Sequence, residues 1–143
     1  MIIIRLWHQD LIPHLPRQQL LGAHRECCAL RGKGWGRNHS VVNYVFEHPH
    51  EWLVAYHCLV MDEMVRRGYK PDPIWRKVNW RGNTLQEQDG WCDENVVNFL
   101  LEYTKPIYPE HNDKYLQECI DNLKGKGIDI ELGEEPIEKG DIK

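Results

Sequence analysis

Leu15 to His39 reads LPRQQLLGAHRECCALRGKGWGRNH, and the spacing of its apolar residues decides the fold. At 100° per residue, Leu20, Ala23, Cys27 and Leu30 fall within one arc of a helix. Gln18, Gly22, Arg25 and Ala29 centre on the opposite side, with Glu26 at its edge. Pro16 suits the first turn, where its missing N–H costs nothing, and Gly32 suits the stop. The spacing predicts a helix that buries one face and offers a carboxylate, an arginine and small residues on the other. Two readings of that outer face stand side by side: an active face that meets an anionic polymer, and an ordinary solvated Arg–Glu pair.

The rest of the composition sets bounds. A chain of 143 residues with 41% hydrophobic residues is long and apolar enough for one self-sufficient domain. No apolar run approaches the ~18 residues of a membrane span, and the opening Met-Ile-Ile-Ile-Arg is too short for a signal-peptide core. A soluble cytoplasmic protein is expected. The five cysteines form an odd set without a C-x-x-C pair, which argues against a disulfide framework.

A net charge of −4 speaks against a nucleic-acid partner until it is divided along the chain. Residues 127–143 carry six acids against two lysines, so residues 1–126 balance at zero. Across residues 15–37, Arg17, Arg25, Arg31, Lys33 and Arg37 oppose Glu26 alone, a local +4. A basic stripe on a neutral body fits a phosphate footprint. Residues 127–143 are expected to be a flexible acidic tail beyond a domain of residues 1–126.

Downstream, Gly32, Gly34 and Gly36 predict a flexible basic loop around Trp35. Val41 to Phe46 leans towards a short extended run that His48-Pro49 halts. Glu51 to Arg67 has apolar residues around much of its circumference and predicts the central buried helix. Lys70 to Trp91, with two prolines and two glycines, predicts irregular chain. Its Trp75, Arg76, Lys77, Trp80 and Arg81 suit base stacking and phosphate binding, or equally the capping of a core under a loop. Asp93 suits the cap of a helix to about Tyr103, and a last helix from about Asn112 to Lys124 places Tyr115, Leu116, Cys119, Ile120 and Leu123 on one face. The expected fold class is all-α: a compact single domain of about three to four helices with long irregular loops.

Most catalytic constellations are missing. The eight histidines form neither H-E-x-x-H nor a finger spacing. His48, His50 and His57 would be the set for a metal-dependent hydrolase, but no metal or other cofactor is expected. Cys27 or Cys28 beside His24 and Arg25 has some features of an activated thiol. Cys27 belongs to the buried arc, however, and core packing accounts for it better. There is no G-x-S-x-G, phosphate-binding loop or dinucleotide fingerprint.

What survives is Arg25-Glu26 on a basic helix just after an N-terminal arm, and here the chain resembles the pyrimidine-dimer DNA glycosylases of the endonuclease V type. Several short motifs follow in the family's order. After the basic glycine loop, Asn38-His39 looks like the family's Gly-His. Arg66-Arg67-Gly68-Tyr69 is similar to the basic-Arg-Gly-aromatic ending of its central helix, and Trp80-Arg81-Gly82 to its aromatic-Arg-Gly. Tyr108-Pro109-Glu110-His111 looks like the Pro-His-Glu that opens its last helix. The likeness covers about residues 5–124, with an insertion near 83–106.

The resemblance implies an all-α, metal-free DNA repair enzyme, a glycosylase with abasic-site lyase activity on damaged double-stranded DNA, and a monomer away from membranes. The family's nucleophile is the chain's own α-amino group, here that of Met1, which the bulky Ile2 is expected to protect from removal. In register with Glu26 the family's amine would fall at Arg5, a departure, and the acidic C-terminus replaces an aromatic-basic tail. Glu26 matches the essential carboxylate, and Arg25 would hold a phosphate near the lesion. Gln18, Arg31, Lys33, Arg37, His39, Arg81 and Lys124 would face DNA. A non-catalytic nucleic-acid-binding module is the alternative.

Overall fold

A computed structural model describes residues 6–37, 42–130 and 132. Its frame is all-α, built from α1 (Arg17–Arg31), α2 (His50–Arg66), the one-turn α3 (Gly82–Leu85), α4 (Glu94–Tyr103) and α5 (Asp113–Gly125). Short 3₁₀ turns at Gln9–His14, Asn43–Glu47 and Pro73–Arg76 join them. Among the described residues, no helix is long and apolar enough to cross a membrane.

α2 is the central element and packs chiefly against α1 and α4. Leu53, Val54, Ala55, Tyr56, Val60, Met61 and Met64 are all buried, so apolar residues ring it as the sequence requires. α1 meets it through Leu20, Ala23, Cys27 and Leu30, each buried. The helix ends follow local chemistry. The Asp93 side chain accepts from the Asn95 N–H at the start of α4, and Asn112 accepts from Tyr115 at the start of α5. α2 stops at Gly68, whose φ of 93° lets the Tyr69 N–H return to the Met64 carbonyl at 2.8 Å.

Two expectations are corrected. The segment read as extended is, in its described part, the 3₁₀ turn Asn43–Glu47; Val41 lies outside the described residues. The turn buries Val45, sets Tyr44 against Tyr108 and His111, and sets Phe46 against Trp35, which a straight strand would not do. The glycine loop is a tight turn whose glycines serve close approach. A Cβ on Gly34 would sit 2.7 Å from the Ala29 carbonyl oxygen, and one on Gly32 would sit 2.9 Å from that of Arg81. Ile128 and Ile130 also pack against the core, beyond the end of α5.

Four side chains from distant positions tie down the N-terminal arm. The guanidinium of Arg67 is buried, donates to the carbonyls of Leu15 (2.6 Å), Ile12 and Pro13 (3.2 Å each), and pairs with Glu63 at 2.7 Å. Tyr115 donates its hydroxyl to the Leu6 carbonyl, and Tyr56 donates to that of Trp7, both at 2.5 Å. His111 closes the set: its Nδ1 accepts from the Gln9 N–H at 3.1 Å, so its proton sits on Nε2, 2.7 Å from the Tyr44 hydroxyl.

Burial, helped by the neighbouring His8 ring, depresses the His111 pKa to about 3. A depressed histidine contributes stability above the unfolded-state value of 6.5, and that stability is lost as pH falls towards 3. Between pH 7 and pH 5 the protein is expected to lose about 2 kcal/mol through this group. Urea unfolding at the two pH values measures the loss, and His111→Gln should remove that share of the slope.

Candidate active site

Because α1 turns its apolar arc towards α2, its other residues face outward. Gln18, Arg25 and Ala29 are exposed and Glu26 is half-buried. Glu26 lies in a cavity of about 220 Å³ lined by Trp7, Gln18, Gln19, Gly22, Glu26, Asn122 and Lys126. Three separate stretches build it: the arm supplies Trp7, α1 the middle residues, and the end of α5 Asn122 and Lys126. Trp7 is only 7% exposed, so it forms a fixed wall. Gly22 leaves room on the helix surface, since a Cβ there would meet nothing closer than the Arg25 Nη2 at 3.8 Å. A carboxylate, an ammonium group and amide side chains thus converge on a recess that the arm closes on one side.

A larger cavity, about 630 Å³, lies between the first 3₁₀ turn and α2. Asp10, Asp62 and Glu63 line it beside Arg66 and Lys105, so it offers no excess of positive charge to a polyanion. The smaller recess is the better candidate because it holds the outward face of α1.

The other site residues expected from sequence separate into groups. Lys33 and Arg37 are exposed after α1, with the Arg37 Nε–H donating to the Lys33 carbonyl at 2.8 Å. Arg81 is half-buried; it donates to the carbonyls of Arg31 (2.7 Å) and Gly32 (3.2 Å) and lies 4.5 Å over the Trp91 ring. It holds the basic turn in place from behind. Lys124 is exposed but does not line the recess. Asn122 and Lys126, four residues apart, share a face that Lys124, between them, turns away from. Met1 and His39 lie outside the described residues.

Arg31 corrects its expectation outright. It is 0% exposed. Its guanidinium reaches the carbonyls of Trp75 (3.0 Å), Lys77 (2.8 Å), Val78 (3.4 Å) and Trp80 (3.1 Å), and the His57 Nδ1 at 3.0 Å. Those bonds bind the irregular 75–80 segment to α1, and the one nitrogen they leave without a partner, Nε, is buried away from any phosphate. Much of the aromatic-basic segment is likewise committed inward, with Trp75 packed against Arg31, His57 and Trp80.

The histidine set His48, His50 and His57 is not brought together. His48 pairs with Glu110 at 2.9 Å and stacks on Trp52, His50 stacks on Trp91, and His57 is buried beside Arg31. Sequence reasoning missed Trp7, Gln19, Asn122 and Lys126. Only the i, i+4 pair on α5 carried a usable signal.

Residues 4–77, just over half of the chain, match the family model described as pyrimidine dimer DNA glycosylase. The matched span contains the arm, α1 and α2, and so most of the recess. No curated protein and no solved structure matches the chain.

Proposed function

The chain belongs to the pyrimidine dimer DNA glycosylase family, and we propose that its α1 recess removes the damaged base and then nicks the strand through an imine on the N-terminal amine. As a family member it is a DNA repair glycosylase that acts on damaged DNA. The observation that carries the finer reading is the convergence of Glu26, Gln18 and Lys126 on a recess walled by the N-terminal arm.

An α-amine has an ordinary pKa of about 7.7–8.0 and is partly unprotonated near neutrality, which a lysine at about 10.4 is not. Six residue steps lead from Met1 to Trp7, roughly 20 Å of extended chain, so an arm seated on the recess at Trp7 has the length to return its amine there. Attack of the amine on the sugar C1′ forms a C–N bond and breaks the bond to the base, which leaves with its electron pair. Loss of an amine proton and ring opening give the imine. The imine acidifies the C2′–H, and loss of that proton expels the 3′ phosphate. Glu26 stabilises the cationic sugar and imine and carries protons between the steps.

The flanking cations hold the duplex. Arg25, Lys33, Arg37 and Lys126 are exposed where backbone phosphates would pass. Damaged DNA is easier to kink and unstack than intact duplex, so its deformability assists the choice of lesion.

The test is borohydride trapping on duplex DNA carrying a thymine dimer or an abasic site, followed by peptide mapping. A covalent adduct on the Met1 amine is expected. An adduct on a lysine, Lys126 first among them, would keep the lyase and move its nucleophile. No adduct on either substrate, with salt-dependent binding retained, would turn the reading to the non-catalytic DNA-binding module.

A further inference from the structure

On the side of α1 opposite the recess, a cluster of metal-ligating atoms has no role in the chemistry above. His24 and Cys28 are one turn apart on α1, and His57 faces them from α2. The Cys28 Sγ lies 4.0 Å from the His24 Nδ1 and 3.9 Å from the His57 Nε2. The His24 Nδ1 lies 2.8 Å from the His57 Nε2. These donor atoms all fall within 4.8 Å of one another. With metal–sulfur bonds of ~2.3 Å and metal–nitrogen bonds of ~2.0 Å, tetrahedral ligands stand roughly 3.3–3.5 Å apart. The sulfur must close by about half an ångström and the two rings must part by about as much, within reach of side-chain rotation.

We propose that His24, Cys28 and His57 form a two-histidine, one-thiolate site for a thiophilic divalent ion of the zinc class. His24 and Cys28 are half-buried, so an ion can enter and a solvent molecule can complete a fourth position. From Glu26 to either Cys28 or His24 the helix turns by 200°, so the ion would staple α1 to α2 without touching the recess.

Arg31 sets the condition for binding. A guanidinium only donates, so its 3.0 Å contact makes the His57 Nδ1 an acceptor and places that ring's proton on Nε2, facing His24. An ion on Nε2 moves that proton to Nδ1, where it would face a guanidinium N–H, so the Arg31 Nη1 must turn from the ring towards the Trp75 carbonyl, already 3.0 Å away. Cys28 gives up its thiol proton to solvent and ligates as thiolate. Among the described residues, Arg25, Arg31 and Arg76 surround the cluster against Asp72 and the Asp62 that pairs with Arg76, so the thiolate is also the charge that makes a dication tolerable there. One thiolate and two imidazoles, with no carboxylate among the ligands, favour zinc-like ions over magnesium or calcium.

The test is titration of the full, chelator-stripped chain with Co²⁺, a spectroscopic stand-in for zinc. One Co²⁺ per chain is expected, with a thiolate-to-cobalt absorption band that Zn²⁺ bleaches, and with an unfolding temperature raised by saturating Zn²⁺. Cys28→Ser should lose the band and the temperature shift, and Cys58→Ser should keep both. His24→Gln, a change at a half-exposed position, should weaken binding at least tenfold and gives a second variant if Cys28→Ser folds poorly. The proposal is overturned if the wild-type chain shows no band at millimolar Co²⁺, or if the band survives in Cys28→Ser.

Discussion

Replacing Glu26 by Gln is expected to lower the rate of strand nicking by roughly 10³-fold or more without weakening the affinity for dimer-containing duplex at fixed salt. The substitution keeps the volume and hydrogen-bonding reach of the side chain and removes its charge and its capacity to carry a proton. Positioned acid–base groups contribute about 10²–10⁴-fold, and electrostatic stabilisation of developing charge about 10²–10³-fold. Both would be lost at one atom pair. A negative charge near phosphates opposes binding, so affinity should hold or rise. Single-turnover nicking, measured beside equilibrium binding on the same duplex, separates the outcomes. A parallel fall in binding would make Glu26 a structural residue, and nicking within tenfold of wild type would remove it from the chemistry.

The same helix shows how much of the fold the sequence carried. Leu20, Ala23, Cys27 and Leu30 announced their burial by spacing alone, and each is buried. By the same geometry Gln18, Arg25 and Ala29 were left outside, where the structure has them. Arg31 obeys that rule too: it follows Cys27 by four residues and so continues the buried arc. Its charge points to the surface and its position to the core, and burying a guanidinium is costly unless acceptors wait for it. Those acceptors are carbonyls of residues 75–80, some 44 to 49 positions away, and no local pattern reveals them.

The recess was half legible for a similar reason. Residues of α1 could be placed on one face from periodicity. Trp7, Asn122 and Lys126 reach the recess only through the tertiary path of the arm and α5. Val42 to Phe46 failed differently: β-branched and aromatic residues favour strands in general, but here they serve a turn that drops Val45 into the core.

Arg31→Met should therefore destabilise the protein by about 4 kcal/mol, with little direct effect on DNA contacts. Methionine has similar length and is apolar, so it fills much of the space. It cannot donate to the carbonyls of Trp75, Lys77, Val78 and Trp80 or to the His57 Nδ1, which lose their partner together. An unsatisfied buried group costs about 1–3 kcal/mol, and removal of one side of a buried charged network typically costs about 3–5 kcal/mol. Partial relaxation of the 75–80 segment towards water keeps the total near the upper single-site range rather than at the sum. Against a domain stability of about 5–15 kcal/mol, this is a large fraction. Urea unfolding should show a lower midpoint, and residues 75–80 should exchange their amide hydrogens faster. Arg37→Ala supplies the contrast, because an exposed phosphate contact should weaken binding and reduce the salt slope by about one while stability stays within about 0.5 kcal/mol. If Arg31→Met instead kept its stability and lost DNA affinity with a reduced salt slope, the guanidinium would be working on phosphate, and its burial would have to open when DNA binds.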